Sequence, residues 1–491
     1  MSDLPKEWTL GRQVLFWALV LAAVILPRFL LQRAVPVYLF TDDSHSYLLS
    51  AFNWAEGGDW ETSPRRGAVY SLFIGLALRL FQNLNAVVWM QHVAGSVAVC
   101  VAIGYFRSFV PAQWFVPGLL VSLAYAVLGY PVYVEHMIRS ETLLWLFSTL
   151  ALAAWGWFLR SKRGWLLVLA GYGFGTATLV KNLMLPFPVV VLACLIMDQR
   201  EAWSLRGRRV ALFLLGIALP YIVNEGINRV SGHSPEAAPQ SGILLYGRVA
   251  QWTVLDTGKH LEVKQLIRPD IEAYRQLPRL NNNIILKRTA VPHIKAWLEA
   301  RGGTRADLDR LCRDLAFEAI FADFPRYLGQ VWNDCVRLHW GMKFVLDEPH
   351  EEDLEDARVS TTKMKHESPM LRRQETLDKL ADPAGGQALR PYRTAASKAW
   401  LFNWHPVLLT SLLLPVVLLF DPVRSRRPFW LATAAVWYFN VLIICTVGRP
   451  MQRYLMATLP IIFWTLAASV VFLCMRLASL WNKRQPRSSS P

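Results

Sequence analysis

The chain has 491 residues, of which 54% are hydrophobic and only 18% are charged, and it contains 21 tryptophans. Soluble domains carry about 25% charged residues, so this composition argues against a soluble globule. The hydrophobicity excludes a disordered chain, and six cysteines are too few for a disulfide-rich secreted scaffold. With a mean hydropathy of +0.27, the composition predicts a polytopic membrane protein with a substantial water-exposed part.

Ten apolar segments approach the length of about 20 residues that crosses the hydrocarbon core of a bilayer. The segment 210–223 is the weakest of them. Another segment, 69–81, is shorter and contains Arg79, so we predict a helix that lies in the membrane interface. The ten predicted spans are residues 14–31, 86–106, 114–130, 142–159, 165–180, 182–197, 210–223, 399–420, 428–448 and 454–475.

Lysine and arginine collect on one side of these spans. If the N-terminus lies inside, the inside segments carry 17 of these residues and five acids, which is +12 of the net charge of +16. This distribution agrees with the rule that cytoplasmic loops are basic. The positive charge therefore indicates topology, and no basic patch with interleaved aromatic residues points to nucleic acid. The first span ends in Pro27-Arg28 without a small-residue cleavage pattern, which predicts a retained helix.

This topology predicts an all-α polytopic membrane protein in three parts. Residues 1–223 form a membrane core with a first outer loop at 32–85. Residues 224–398 form a large outer segment that is mostly helical. Residues 399–491 form the last spans and a basic cytoplasmic tail.

The outer segment contains two stretches with helical periodicity, 304–324 and 326–340, split at a proline. The charged stretch 347–381 lacks a clear apolar face and is predicted to be a mobile loop. Cys312 and Cys335 would face each other if the chain folds back at that proline, and an oxidising compartment would permit a disulfide. Two buried free thiols are the alternative.

Two adjacent acids, Asp42 and Asp43, begin an amphipathic stretch in the first outer loop. A carboxylate here suits a general base, whereas an aspartate before a helix also serves as its cap. Asp43 and His45 are candidate ligands of a divalent metal, although Asp-Asp-x-His has no diagnostic spacing. Arg65 and Arg66 follow in the same loop and are candidate substrate-binding cations.

The second outer loop is short and rich in ionisable residues. Glu135, His136, Arg139 and Glu141 occur within seven positions between two apolar spans. Such groups near a bilayer are unfavourable unless they have partners, so they mark either a functional site or a local Glu135–Arg139 ion pair that turns the chain.

Further cations lie at two other outer turns. Lys181 follows the fifth span, and Arg449, Arg453 and Tyr454 lie at the turn before the last span. One arginine at the end of a span often only reaches to lipid headgroups. Together with the acids, these residues predict a cationic cavity that suits a phosphate-bearing lipid substrate.

Four motifs on the outer side occur in a characteristic order. They are the acid pair Asp42-Asp43, the sequence Arg139-Ser140-Glu141, the glycine-rich span Gly171–Gly175 that leads to Lys181, and the pair Arg453-Tyr454. In this order they resemble the GT-C superfamily of polytopic glycosyltransferases, in particular the protein O-mannosyltransferases and the aminoarabinose transferase of lipid A. The chain departs from the family where Pro64-Arg65-Arg66-Gly67 replaces a Pro-Pro-Gly type of stretch and where Lys181 replaces an arginine.

The resemblance implies transfer of a sugar from a polyprenyl-phosphate donor to a hydroxyl of a lipid glycan, a cell-wall polymer or a protein. Asp42 or Asp43 would be the general base. The second-loop acids Glu135 and Glu141 would position the acceptor or a divalent metal, and the cations would stabilise the departing phosphate. The site would lie on the periplasmic face of a bacterial inner membrane, among membrane lipids.

Three other protein classes remain open from the sequence. A transporter or flippase of lipid-linked sugars would use interrupted spans, and Pro186 and Pro188 interrupt the sixth span. A non-catalytic assembly protein would not need clustered outer charges. His92 and His405 fall inside predicted spans, as a membrane acyltransferase would require, although such histidines more often bond a neighbouring helix.

Overall fold

The structure, a computed structural model, describes residues 8–34, 42–58, 68–108, 110, 114–181, 184–198, 201–230, 241–275, 289–341, 406–420, 427–446 and 457–484. Within these ranges most of the regular secondary structure is α-helix. The helices are α1 (Leu10–Ala34), α2 (Asp42–Ala55), α3 (Ala68–Phe81), α4 (Leu84–Arg107), α5 (Phe115–Ala126), α6 (Gly129–Glu135), α7 (Glu141–Ser161), α8 (Trp165–Val180), α9 (Pro186–Met197), α10 (Trp203–Val230), α11 (Ser241–Val249), α12 (Leu261–Arg275), α13 (Ala290–Glu299), α14 (Arg305–Ala322), α15 (Phe324–Val336), α16 (Pro406–Phe420), α17 (Arg427–Thr446) and α18 (Leu459–Arg484).

Seven helical segments in the described part are long and apolar enough to cross a membrane, so the chain is an integral membrane protein. Helices α8, α9 and α16 are apolar but shorter. At about 1.5 Å per residue they fall short of the roughly 30 Å hydrocarbon core. The ten crossings therefore stay a prediction.

Two predicted spans have different boundaries in the structure. The span expected at 114–130 is one apolar segment, Phe115–Glu135, built from α5 and α6. The span expected at 210–223 lies inside α10, a helix of 28 residues. The helix continues beyond 223 because polar residues end the apolar run without breaking the helix, so the outer segment begins on α10 itself.

The first outer loop contains two helices that pack on each other. Helix α3 has 14 residues, matching the predicted short helix, and buries Tyr70 and Ile74. It packs against α2 and α4. Gly75 permits this contact, because a methyl group there would overlap the ring of Trp54 in α2.

The glycine-rich motif of the fifth span makes a close helix contact. A methyl group at Gly171 in α8 would overlap the carbonyl oxygen of Phe213 in α10, and one at Gly216 would overlap that of Val168. Small residues let two membrane helices approach at backbone distance. This contact gives the motif a packing role in this chain.

Helices α11–α14 enclose a separate hydrophobic core in the outer segment, with Tyr246, Ile267 and Cys312 in its centre. Helix α15 connects this core to the membrane helices. Cys335 packs against the membrane core, so the two cysteines contribute to different cores and both are free thiols. Burial raises the pKa of Cys312 to about 12, so this thiol is protonated at neutral pH. The predicted loop 347–381 lies outside the described residues.

Candidate functional site

The second outer loop is held by a glutamine from α4. Gln91 Nε2 donates hydrogen bonds to the carbonyl oxygens of Glu135 and Met137, at 2.6 and 2.7 Å. The hydroxyl of Tyr70 donates to Gln91 Oε1 at 2.5 Å and orients the amide. All these groups are buried, so the loop has one defined path rather than that of a mobile turn.

Glu135 is fully buried and paired with an arginine from the first span. Arg28 Nε and Nη2 lie 2.8 and 2.5 Å from the two carboxylate oxygens, a bidentate geometry. Arg28 also donates to the carbonyl oxygen of Val24. Gly95 makes room for the pair, because a methyl group there would overlap the carboxylate. The ion pair ties α1 to α6.

Two histidines extend this network. His92 Nδ1 lies 2.9 Å from Glu135 Oε2, and His92 Nε2 lies 3.3 Å from His136 Nδ1. If neutral His92 donates to the carboxylate, its other nitrogen must accept, so His136 donates from Nδ1. His92 thus bonds a neighbouring segment, which is the alternative to a catalytic base that the sequence left open.

The first outer loop contacts the second through the first turns of α2. Ser44 Oγ donates to the carbonyl oxygen of Ile138 at 2.6 Å, and the Tyr47 hydroxyl lies 3.1 Å from Ser140 Oγ. Helix α2 begins at Asp42, so Asp42 and Asp43 both lie in its first turn. They are therefore about 100° apart around the helix axis.

Glu141 and Lys181 form an ion pair at the outer ends of α7 and α8. Lys181 Nζ lies 2.9 Å from Glu141 Oε1, and the carboxylate is nearly buried while the lysine side chain is one-fifth exposed. Glu141 is also the first residue of α7, where a carboxylate is favourable for the helix dipole. The pair lies next to Ser140, which is the contact point of Tyr47.

Arg139 completes this part of the site. It is partly exposed and lies between the Ser44 contact at Ile138 and the Tyr47 contact at Ser140. Among the predicted residues, the structure pairs Glu141 with Lys181 and links Glu135 to His136 through His92, and Arg139 lies between these two networks along the chain.

Several predicted site residues lie outside the described residues. The side chains of Asp42, Asp43 and His45 belong to this group, although their helix is described. The described residues contain no group of three or more possible metal ligands. The metal prediction for Asp43 and His45 therefore stays a prediction. The predicted cations and tyrosine outside the described residues are Arg65, Arg66, Arg449, Arg453 and Tyr454.

Arg28, Gln91, Ser44 and Tyr47 are site residues that the sequence patterns do not indicate. Arg28 lies near the end of an apolar run, where an arginine commonly marks only the boundary of a membrane span. A buried arginine within an apolar helix almost always has a partner, and that rule was the available signal. It could not identify Glu135, which is 107 residues away in the chain.

No family model and no curated protein matches the chain. Several solved structures do match it, including the following two. ArnT from Cupriavidus metallidurans bound to undecaprenyl phosphate is 12% identical over 86% of this chain and 84% of that chain, with a TM-score of 0.35. The Archaeoglobus fulgidus oligosaccharyltransferase in the apo form is 12% identical over 100% of this chain and 53% of that chain, with a TM-score of 0.46.

The lipid A aminoarabinose transferase, which the sequence motifs resemble, is thus among the matched structures. The chain spans about half the length of the oligosaccharyltransferase. At this identity and with TM-scores below 0.5, the matches carry no argument about the activity of this chain. Its function must be argued from its own residues.

Proposed function

We propose that the chain is a membrane glycosyltransferase. It moves a sugar from a polyprenyl-phosphate donor to a hydroxyl of a lipid glycan, a cell-wall polymer or a protein, on the outer face of a bacterial inner membrane. The observation that carries the proposal is the attachment of α2 to the second outer loop through Ser44 and Tyr47. This contact keeps the turn that begins with Asp42 and Asp43 beside a segment with an arginine and a Glu141–Lys181 pair.

The chemistry of this arrangement fits the transfer of a phosphate-linked sugar. The acceptor hydroxyl loses its proton to a carboxylate of α2 while its oxygen bonds to the anomeric carbon of the donor. The bond from that carbon to the phosphate oxygen breaks, and the phosphate leaves with added negative charge. Arg139 and Lys181 supply positive charge that is already in place, which stabilises the transition state more than the ground state.

The contacts of Glu135 assign it a different role from the α2 acids. Both of its carboxylate oxygens already bond Arg28, and one also bonds His92. We infer that Glu135 positions the second outer loop and does not accept the acceptor proton. Glu141 likewise sets the position of Lys181.

The test is turnover of lipid-linked sugars by the purified full-length protein in detergent, with a panel of polyprenyl-phosphate sugars as donors and membrane extract as acceptor. Asp42→Asn and Asp43→Asn keep the shape of the side chain but cannot accept a proton. At least one variant should fold normally and lose activity by about 100- to 10,000-fold. A role limited to stabilising the first turn of α2 would lower stability by about 1 kcal/mol and leave turnover intact.

Glu56→Gln is the matched control, because Glu56 is an exposed acid just beyond the other end of α2. It should retain full activity. Near-normal turnover in both aspartate variants would contradict the proposed base. If no new glycosylated product forms with any donor, the glycosyltransferase proposal fails, and movement of the donor across vesicles would favour a flippase.

A further inference from the structure

Helices α14 and α15 in the outer segment each expose a row of large apolar side chains. The spacing within each helix is four residues, which places Phe317 and Phe321 on one side of α14 and the other four members on one side of α15. Phe321 and Trp332 are 75% and 69% exposed, so these are not partly covered core residues. The members of the two rows are Phe317, Phe321, Phe324, Leu328, Trp332 and Val336, hereafter together the apolar row.

Single exposed apolar residues are normal on a soluble surface. A row of six, four of them aromatic, is not, and such a surface usually contacts another apolar phase. The row also crosses the junction between two helices. Asp323 accepts a hydrogen bond from the backbone N–H of Arg326 and so begins α15 as its cap, directly after the last residue of α14.

The apolar row adjoins the surface of the membrane-spanning helices. The Tyr327 hydroxyl donates to the carbonyl oxygen of Thr446, the last residue of α17, at 2.9 Å. His339, just after α15, lies 3.0 Å from Ser411 in the second turn of α16. Helix α15 therefore lies at the ends of two apolar helices.

The charges near the apolar row fit the surface of a bilayer. Arg326 and Arg337 are exposed on α15 and the turn that follows it. Arg326 lies above the ring of Trp252, 5.1 Å from its centre, which orients it. Aromatic residues flanked by arginines are typical of helices that lie in the membrane interface and contact lipid phosphates.

We propose that the apolar row lies in the outer membrane–water interface, in contact with lipid acyl chains, and holds the outer segment against the bilayer. The partner is the lipid leaflet. A second copy of the chain would cover the row only where two copies meet, whereas the continuity with α16 and α17 places it beside lipid in every copy. The proposal does not depend on the glycosyltransferase activity.

The test uses adjacent positions of one helix. Full-length protein with its six native cysteines replaced is labelled with an environment-sensitive fluorophore at Leu328→Cys or Trp332→Cys, and reconstituted into nanodiscs of phosphatidylethanolamine and phosphatidylglycerol. Asn333→Cys and Gly329→Cys are the controls, because both positions are exposed and turned about 100° from their neighbours. Lipids with a nitroxide high on the acyl chain should quench positions 328 and 332 by about half and leave 329 and 333 little changed.

Equal quenching at all four positions, or none at any, would overturn the proposal. Protection of positions 328 and 332 from both lipid and water-soluble quenchers would also overturn it, since another segment of this chain or a second copy would then cover the row. If removing the cysteines prevents folding, a benzophenone amino acid at position 332 or 333 of the native chain gives the same comparison. Crosslinking to lipid at 332 and not at 333 supports the proposal, and the reverse refutes it.

Discussion

At the scale of single residues, the Arg28–Glu135 pair is the most consequential contact in the site. Both groups are almost completely buried, so neither can return to water without unfolding part of the core. Removing one charge leaves the other buried and unpaired, which is far more unfavourable than removing both. The pair therefore makes a sharp test of how the second outer loop is held.

We predict that Arg28→Ala lowers the free energy of unfolding by about 3–5 kcal/mol, because it leaves the Glu135 carboxylate unpaired in the core. The double variant Arg28→Met/Glu135→Leu should recover most of that loss. Arg33→Ala, an exposed arginine at the end of the same helix, is the control and should change stability by less than about 0.5 kcal/mol. Thermal unfolding in detergent measures all three. Additive losses in the double variant would show that the pair is not coupled.

At the scale of secondary-structure elements, backbone contact between helices explains the glycine-rich span. Gly171 and Gly216 lie against each other's helices, and Gly175 lies against Pro220 in the same interface. A sequence motif that resembles a family signature therefore has a packing reason in this chain.

We predict that Gly171→Ala destabilises the protein by about 1–3 kcal/mol, because the added methyl group forces α8 away from α10. Gly226→Ala is the matched control in α10, since nothing lies within 4 Å of a methyl group there. It should be neutral or stabilising by up to about 1 kcal/mol, because alanine favours the helix. Thermal unfolding in detergent distinguishes the expected destabilisation by Gly171→Ala from the neutral or stabilising effect expected of Gly226→Ala. A neutral Gly171→Ala would show that the helices separate without loss.

At the scale of the whole molecule, the basic loops predict which ends of the helices face the cytoplasm. The described residues contain seven helical segments that are long and apolar enough to cross a membrane. The total number of crossings is ten if the shorter helices α8, α9 and α16 also cross. Their lengths alone do not settle this, because neighbouring residues and local thinning of the bilayer extend a short span. Topology must be measured on the intact chain.

We predict that a reporter active only outside the cytoplasm is active when fused after Arg453 and silent when fused after Arg163. The reason is the concentration of lysine and arginine in the predicted inside segments. A second reporter that works only in the cytoplasm should give the opposite pattern at the same two positions. Equal signals from either reporter at both positions would refute the ten-span model.

Local patterns in the sequence determined the class of this protein and most of its helices. Apolar runs, the basic loops and the 3.6-residue periodicity require no knowledge of distant residues, so α3, α14 and α15 could be predicted to within a few residues. Glu135, Glu141 and Lys181 could likewise be identified as candidate site residues from the sequence alone, because charged residues between apolar spans are conspicuous.

Only the tertiary structure decided which of these residues meet. Arg28 and Glu135 are 107 residues apart, and nothing in either segment encodes the other, because ion pairing depends on distance in space rather than in sequence. The contacts between the glycines of α8 and helix α10 likewise join residues that are far apart in the sequence. The hydrogen bonds from Gln91 to the second outer loop do the same. The apolar row of α14 and α15 shows the difference most clearly. The helical periodicity of its residues is visible in the sequence. Whether the row faces a hydrophobic core or lies on the surface depends on how the other helices pack.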